Sequence, residues 1–452
     1  MKKFISLLLV CLMVVPFGML ATLSATADLF VPKTVYVQEG AAGDGTSAAS
    51  PLGTLEAAYA ALGDEGGEIV IIGTYNLNAY FKAPDHTGEV IIMGADASAK
   101  IATAIAEVRF FTGGPTVFTD ITLETVTGSL LLVYQYHDFA ITDTVVHEKK
   151  KDAMIVASQG GNAAKPSYNF TPKSCIVSIE GGYWNEVSFG PRQSFAYVEG
   201  GEVLTKPAEE FKDIEVTAYI GGDAVISKLF VAERSYTKSF LMEGSTASVI
   251  LDGGQIDSFM GLNDNKTVTT GYLGGFVVYI TENFDMSKSF ENHGKPIDAN
   301  RMNGGIFYGL SGENIFNNET ISYTKLNNST LVIDDAVYDA VMNSGKIYAG
   351  SFANTLKTSE LFPDEPDDTT EPEDTTVIPE DTTPAETEPA ETEPAETEPA
   401  QTEPAQTEPA ETEKPGTGDA PETGDGAWAI AVVAAIAVMG CAVITASKKK
   451  AE

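Results

Sequence analysis

Apolar residues between about 31 and 362 fall in short β-branched runs, separated by glycine, asparagine and aspartate, and only one stretch carries a helical period. Thr34-Val35-Tyr36-Val37 opens this region as a strand, and a Gly43-Asp44-Gly45 turn follows. Ser50 then predicts an N-cap with Pro51 at the first helical position. Leu52, Leu55, Tyr59 and Leu62 share one face of the resulting short helix. Beyond Gly66-Gly67, the run Glu68-Ile69-Val70-Ile71-Ile72 predicts a buried strand. Paired glycines recur with first members Gly181, Gly200, Gly221, Gly253, Gly274 and Gly304, at spacings of about 19, 21, 32, 21 and 30 residues. Many follow a β run, as in Val177-Ser178-Ile179-Glu180-Gly181-Gly182 and Val249-Ile250-Leu251-Asp252-Gly253-Gly254. Glycine at such a corner allows the positive φ at which a strand turns. Strand, corner and strand near twenty residues predict an all-β solenoid whose coils pair backbones with their neighbours. A string of β-sandwich modules is the competing architecture, with strands every 8–12 residues and less glycine at regular corners.

Both ends depart from this pattern. Lys2 and Lys3, an apolar core from Phe4 to Leu20 and the small residues Ala25-Thr26-Ala27 predict a signal peptide over 1–27, cleaved before Asp28. The folded region is then 28–362. From Pro363 to 419, Thr, Glu and Pro dominate, and Ala-Glu-Thr-Glu-Pro recurs from Ala385. Without an apolar face this stretch cannot offset the entropy of folding, and its prolines and like charges predict a disordered, extended acidic stalk. At about 3.1 Å per residue it reaches on the order of 190 Å. Residues 420–452 end the chain. They hold an apolar run over 427–446, long enough for a transmembrane helix, and then Lys448, Lys449 and Lys450.

The formal net charge is −36. Residues 363–424 carry about 21 acids against one lysine, and the folded region is left near −19. Such a surface argues against nucleic acid as a partner, since that binding needs Lys and Arg on phosphates. Cys11 leaves with the signal and Cys441 lies in the apolar tail, so Cys175 is alone in the folded region and no internal disulfide can form there. In Cys175-Ile176-Val177-Ser178-Ile179 it reads as a small buried strand residue.

Two resemblances sharpen these expectations. Ala420-Pro421-Glu422-Thr423-Gly424, the apolar run and the lysines resemble, in that order, the cell-wall sorting signal of Gram-positive surface proteins, whose pentapeptide is Leu-Pro-x-Thr-Gly. The resemblance implies a sortase that cleaves between Thr423 and Gly424 and joins Thr423 to a cell-wall peptide amine. Pro421, Thr423 and Gly424 are its sorting residues, and Ala420 replaces the leucine. The alternative is a retained single-span membrane anchor of the same topology. The opening strand, Gly-Asp-Gly turn, Ser-Pro helix and Gly-Gly strand resemble the N-terminal cap of right-handed parallel β-helix proteins of the pectate-lyase-like group. That resemblance implies a right-handed parallel β-helix with a short capping helix.

Members of that group cleave or bind polysaccharides, using an Arg or Lys base with acidic calcium ligands, or clustered aspartates. No such cluster is legible here. Asp334-Asp335 is the only adjacent Asp pair in the folded region, and neighbouring strand residues face opposite ways. His86, His137, His147 and His293 lack ligand spacing. Tyr183, Trp184, Phe189, Phe195 and Tyr197 form the densest aromatic stretch, either a sugar platform or interior packing. Tyr183, Trp184 and Arg192 are the candidate glycan contacts. The expectation is a protein displayed on the extracellular face, anchored to wall or membrane, that contacts a glycan or host surface without a catalytic centre or cofactor. The alternative is an anchored polysaccharide lyase or glycoside hydrolase, and only that reading calls for Ca²⁺.

Overall fold

The computed structural model describes residues 32–361 apart from internal stretches, of which 160–167, 206–212, 232–244, 262–275, 296–307 and 321–328 are the longest. The expected signal peptide with Ala25, Ala27 and Asp28, the stalk, the sorting residues Pro421, Thr423 and Gly424, and the run 427–446 lie outside the described residues.

The described chain is all-β, with parallel strands in stacked sheets consistent with a β-helical solenoid. From Gly67 it visits three faces in turn. Gly67–Ile71, Thr74–Leu77 and Phe81–Lys82 fall in a first, third and second sheet, and Val90–Gly94, Lys100–Thr103 and Glu107–Phe111 repeat the circuit one coil on. The first sheet collects eleven strands in sequence order, from Thr34–Val37 to Asn354–Lys357. The second runs to eight, from Phe81–Lys82 to Leu310–Ser311.

Register explains why these sequences stack. Parallel pairing aligns Val35, Ile69, Ile92, Phe118, Ile141, Ile179, Ile220, Leu251, Ile280 and Ile333 in one column, each facing its equivalent in the next coil. Every member is at most 3 % exposed. A second column runs Val90, Thr116, Phe139, Val177, Ala218, Val249, Val278 and Leu331. Strands lie about 4.8 Å apart, so each aliphatic side chain touches the one above and below, and each contributes about 1.5–3 kcal/mol by leaving water.

Three of the glycine pairs, at Gly181, Gly221 and Gly253, lie within the described residues. Gly182, Gly222 and Gly254 turn the chain out of first-sheet strands with φ of 74°, 52° and 70°, the left-handed region that suits glycine. Gly221 also lies under a neighbour, since a Cβ there would come within 2.5 Å of the Tyr219 ring. That ring crosses the corner so that Tyr219 Oη donates to Asp252 Oδ2 at 2.6 Å. The Gly200, Gly274 and Gly304 pairs lie outside the described residues. Ala196–Glu199 and Glu202–Thr205, on either side of the first of these in sequence, pair antiparallel within the connection between second and first sheets. Early coils cross that corner in four to seven residues, whereas the connections after Ser158, Pro191, Phe230, Met260 and Ser311 each take fifteen or more. Insertions at one corner lengthen the spacing without breaking the register.

Capping follows the expected plan with one shift. The helix spans Leu55–Leu62, and Thr54, not Ser50, is its N-cap, accepting from Ala57 N. Ser50 Oγ instead accepts from Asp44 N in the preceding turn. Leu55, Ala58, Tyr59 and Leu62 are buried. The loop ahead of the helix pairs with the outer edge of Thr34–Val37 through Tyr36 N to Gly45 O and Leu52 N to Tyr36 O, which satisfies an otherwise open edge. Near the other end, the Lys346 ammonium donates to the carbonyls of Met286, Ser287 and Ser289, joining the closing turns to an earlier coil. Asp334 accepts from Ala336 N within its own turn, and Asp335 accepts from Ser359 N at the end of the next strand's coil. Cys175 is buried, and burial pushes its thiol far above the usual range.

The column predicts its own cost. Leu251→Ala removes a fully buried member and lowers unfolding free energy by about 2–5 kcal/mol in denaturant titration. Val126→Ala, at a side chain 48 % exposed, changes it by less than about 0.5 kcal/mol. Equal effects at the two sites would contradict the register.

Candidate functional site

The three faces differ in what they present outward. Phe111, Leu131, Val133 and Val156 lie on the outer side of the second sheet, and Tyr168 packs over them edge-on to Phe111 at 4.7 Å. In the later coils of the first sheet, Ile250, Val277, Tyr279 and Val332 are likewise buried, against Tyr219 and Leu361. The third face is more open and polar.

Its strands build two outward columns. Thr74, Lys100, Thr122 and Val146 align through early coils, and Tyr183, Val225 and Gln255 through later ones. Val146 is 55 % exposed, and Tyr183 is half-buried. Beside them stand Glu124 and Glu148, then Asn185, Ser227 and Asp257, each one residue beyond an inward-facing neighbour. His147 joins the two halves. Its Nδ1 lies 2.7 Å from Tyr183 O and its Nε2 3.3 Å from Thr125 Oγ1. A carbonyl only accepts, so Nδ1 carries the proton and Nε2 accepts from the threonine. The ring stacks on Trp184 at 5.6 Å and 13°.

Of the two adjacent aromatic candidates, only Tyr183 reaches the surface. Strand alternation sends Trp184 inward, where it is fully buried and its Nε1 donates to Gly181 O at 2.8 Å. Phe189 is also buried. Arg192 lies outside the described residues. Tyr183 Oη meets Ser227 Oγ at 3.1 Å, and Ser227 Oγ donates to Asp257 Oδ2 at 3.3 Å, a hydrogen-bonded chain across three coils. Tyr308 lies close enough that, after burial, Asp257 and Tyr183 raise its hydroxyl above the ordinary value. At the other end, Ser98, Lys100, Thr122, Glu124 and Glu148 line an open recess of about 280 Å³. Lys100 Nζ pairs there with Glu124 Oε2 at 2.6 Å.

Sequence reading missed Ser227, Asp257 and the Glu124–Glu148 recess. Alignment on the glycine pairs brings out Asp257 but not Ser227, because Gly181-Gly182-Tyr183-Trp184-Asn185 and Gly253-Gly254-Gln255-Ile256-Asp257 match position for position. Gly221-Gly222 carries two extra residues, Asp223-Ala224, before Val225-Ile226-Ser227.

Chemically, the face offers an aromatic and aliphatic strip bordered by carboxylates, a hydroxyl and an amide. Among the described residues, no three His, Cys, Asp or Glu side chains converge to hold a cation. No family model, curated protein or solved structure matches this chain.

A titratable cluster lies at the opposite corner. His86 is buried with Nδ1 2.7 Å from Gly88 O, its ring 5.7 Å from that of Tyr59. It packs on Gly114, where a Cβ would come within 2.6 Å of His86 Nδ1. Burial lowers the pKa of His86, and burial with Lys173 and His86 lowers that of His137 to about 4. Both folded values lie below the unfolded one, about 6.5. Their contribution to stability is therefore complete above pH 6.5 and is lost as pH falls toward 4. The melting temperature is expected to drop across that interval, and His137→Gln to flatten the drop. An identical pH profile for the variant would show that His137 is not responsible.

Proposed function

We propose that this chain is an exported surface protein, tethered through its C-terminus, whose right-handed parallel β-helical domain contacts a glycan through its third face without cleaving it. The observation that carries the reading is Tyr183, held by Ser227 and Asp257 in the middle of an outward strip. An aromatic face suits the apolar side of a pyranose, while hydroxyl, amide and carboxylate groups beside it match sugar hydroxyls. Export and tethering rest on the sequence, on Ala25-Thr26-Ala27 at one end and the apolar run with three lysines at the other.

Retention on immobilised polysaccharides tests the contact. Wild-type protein is retarded, and Tyr183→Ala loses about tenfold in affinity, or about 1.4 kcal/mol, with its melting temperature unchanged. Retention indifferent to Tyr183, or release of shortened glycan, would overturn the reading. Mass spectrometry of protein from its native envelope tests the tether. A mature N-terminus at Asp28 is expected, with a C-terminus at Thr423 under sortase transfer or with 427–446 retained under a membrane anchor. Cytosolic protein still carrying residues 1–27 would refute export.

A further inference from the structure

We infer that the third face takes a linear, equatorially linked amino-sugar polymer, laid along the stack with about one ring per coil. This rests on the reading of that face as a glycan contact.

The repeat is the first argument. Successive coils advance by about 4.8 Å, the spacing of paired strands. An extended chain of pyranoses joined through equatorial bonds advances by a similar step per ring. A ligand commensurate with the coils meets an equivalent position at each one. Two outward columns, Thr122 with Val146 and Tyr183 with Val225 and Gln255, adjoin where His147 bonds the Tyr183 carbonyl and stacks on Trp184, and together they draw on five coils. Their middle is apolar, with exposed Val146, half-buried Tyr183 and Val225. The ring faces of equatorially substituted pyranoses present axial C–H groups, which suit such a strip.

Charge is the second argument. Carboxylates border the strip at both ends, Glu124 and Glu148 in the recess and Asp257 two coils beyond Tyr183. Lys100 offsets Glu124. A uronic-acid polymer would bring like charge against this border. A polymer of 2-amino sugars brings ammonium groups, and the folded region's own charge, near −19, attracts it.

Titration of the full-length protein tests this with four probes. They are a glucosamine hexamer, its N-acetylated counterpart, a cello-hexaose of the same linkage without nitrogen, and polygalacturonate. The glucosamine hexamer is expected to bind most tightly, to weaken with added salt, and to gain little beyond about five or six rings. Glu148→Gln and Asp257→Asn are each expected to lower that affinity about two- to fivefold without changing the melting temperature. Equal or tighter binding of the neutral oligomers, or no effect of the two carboxylate variants, would overturn the charge assignment. Preferential binding of polygalacturonate through Tyr183 would overturn this inference and leave the glycan-contact reading standing. Failure of all four, together with no retention on any polysaccharide, would remove both.

Discussion

In-register parallel pairing sets each inward side chain against the same position of the next coil, so one residue type must suit every level of the stack. The column from Val35 to Ile333 meets that demand with Val, Ile, Leu and one Phe. With at most one cysteine in the expected exported region, no internal disulfide can substitute for this burial. The constraint also dictates where variation is tolerated. An extra residue inside a first-sheet strand would send every following side chain to the wrong face. An extra fifteen at a corner only adds a loop, and the long insertions indeed enter between the second and first sheets.

The same regularity turns local chemistry into a surface. Because strands on the third face keep register, single residues from separate coils line up as strips, and Tyr183, Ser227 and Asp257 meet although 74 positions separate the first from the last. His147 matters here for its two nitrogens. By donating to the Tyr183 carbonyl and accepting from Thr125, it joins two groups of strands into one face and seats Trp184 beneath it. Polar contact outside and aromatic packing inside thus share the dipeptide Tyr183-Trp184.

Much of the fold was legible because solenoids repeat local patterns. The β-branched runs, the helix face Leu55, Tyr59 and Leu62, and the corners at Gly181, Gly221 and Gly253 follow from period and φ preference alone. The cap shifted from Ser50 to Thr54 because Ser50 is drawn into the Asp44 turn, a choice between two good acceptors that spacing cannot rank. The antiparallel pairing of Ala196–Glu199 with Glu202–Thr205 was not legible, because glycine in a sequence suits a hairpin as well as a coil corner. The candidate site was legible only at Tyr183. Its partners come from other coils, and their alignment depends on register, including the two-residue insertion Asp223-Ala224, which only the three-dimensional pairing reveals.

Methyl-to-methyl nuclear Overhauser contacts measure the stacking most directly. The account predicts an unbroken chain of contacts from Ile179 to Ile220, Leu251, Ile280 and Ile333, each residue seeing its equivalents in adjacent coils. Absence of those contacts, with each methyl instead facing residues of a sequence-adjacent antiparallel strand as in a β-sandwich, would contradict it.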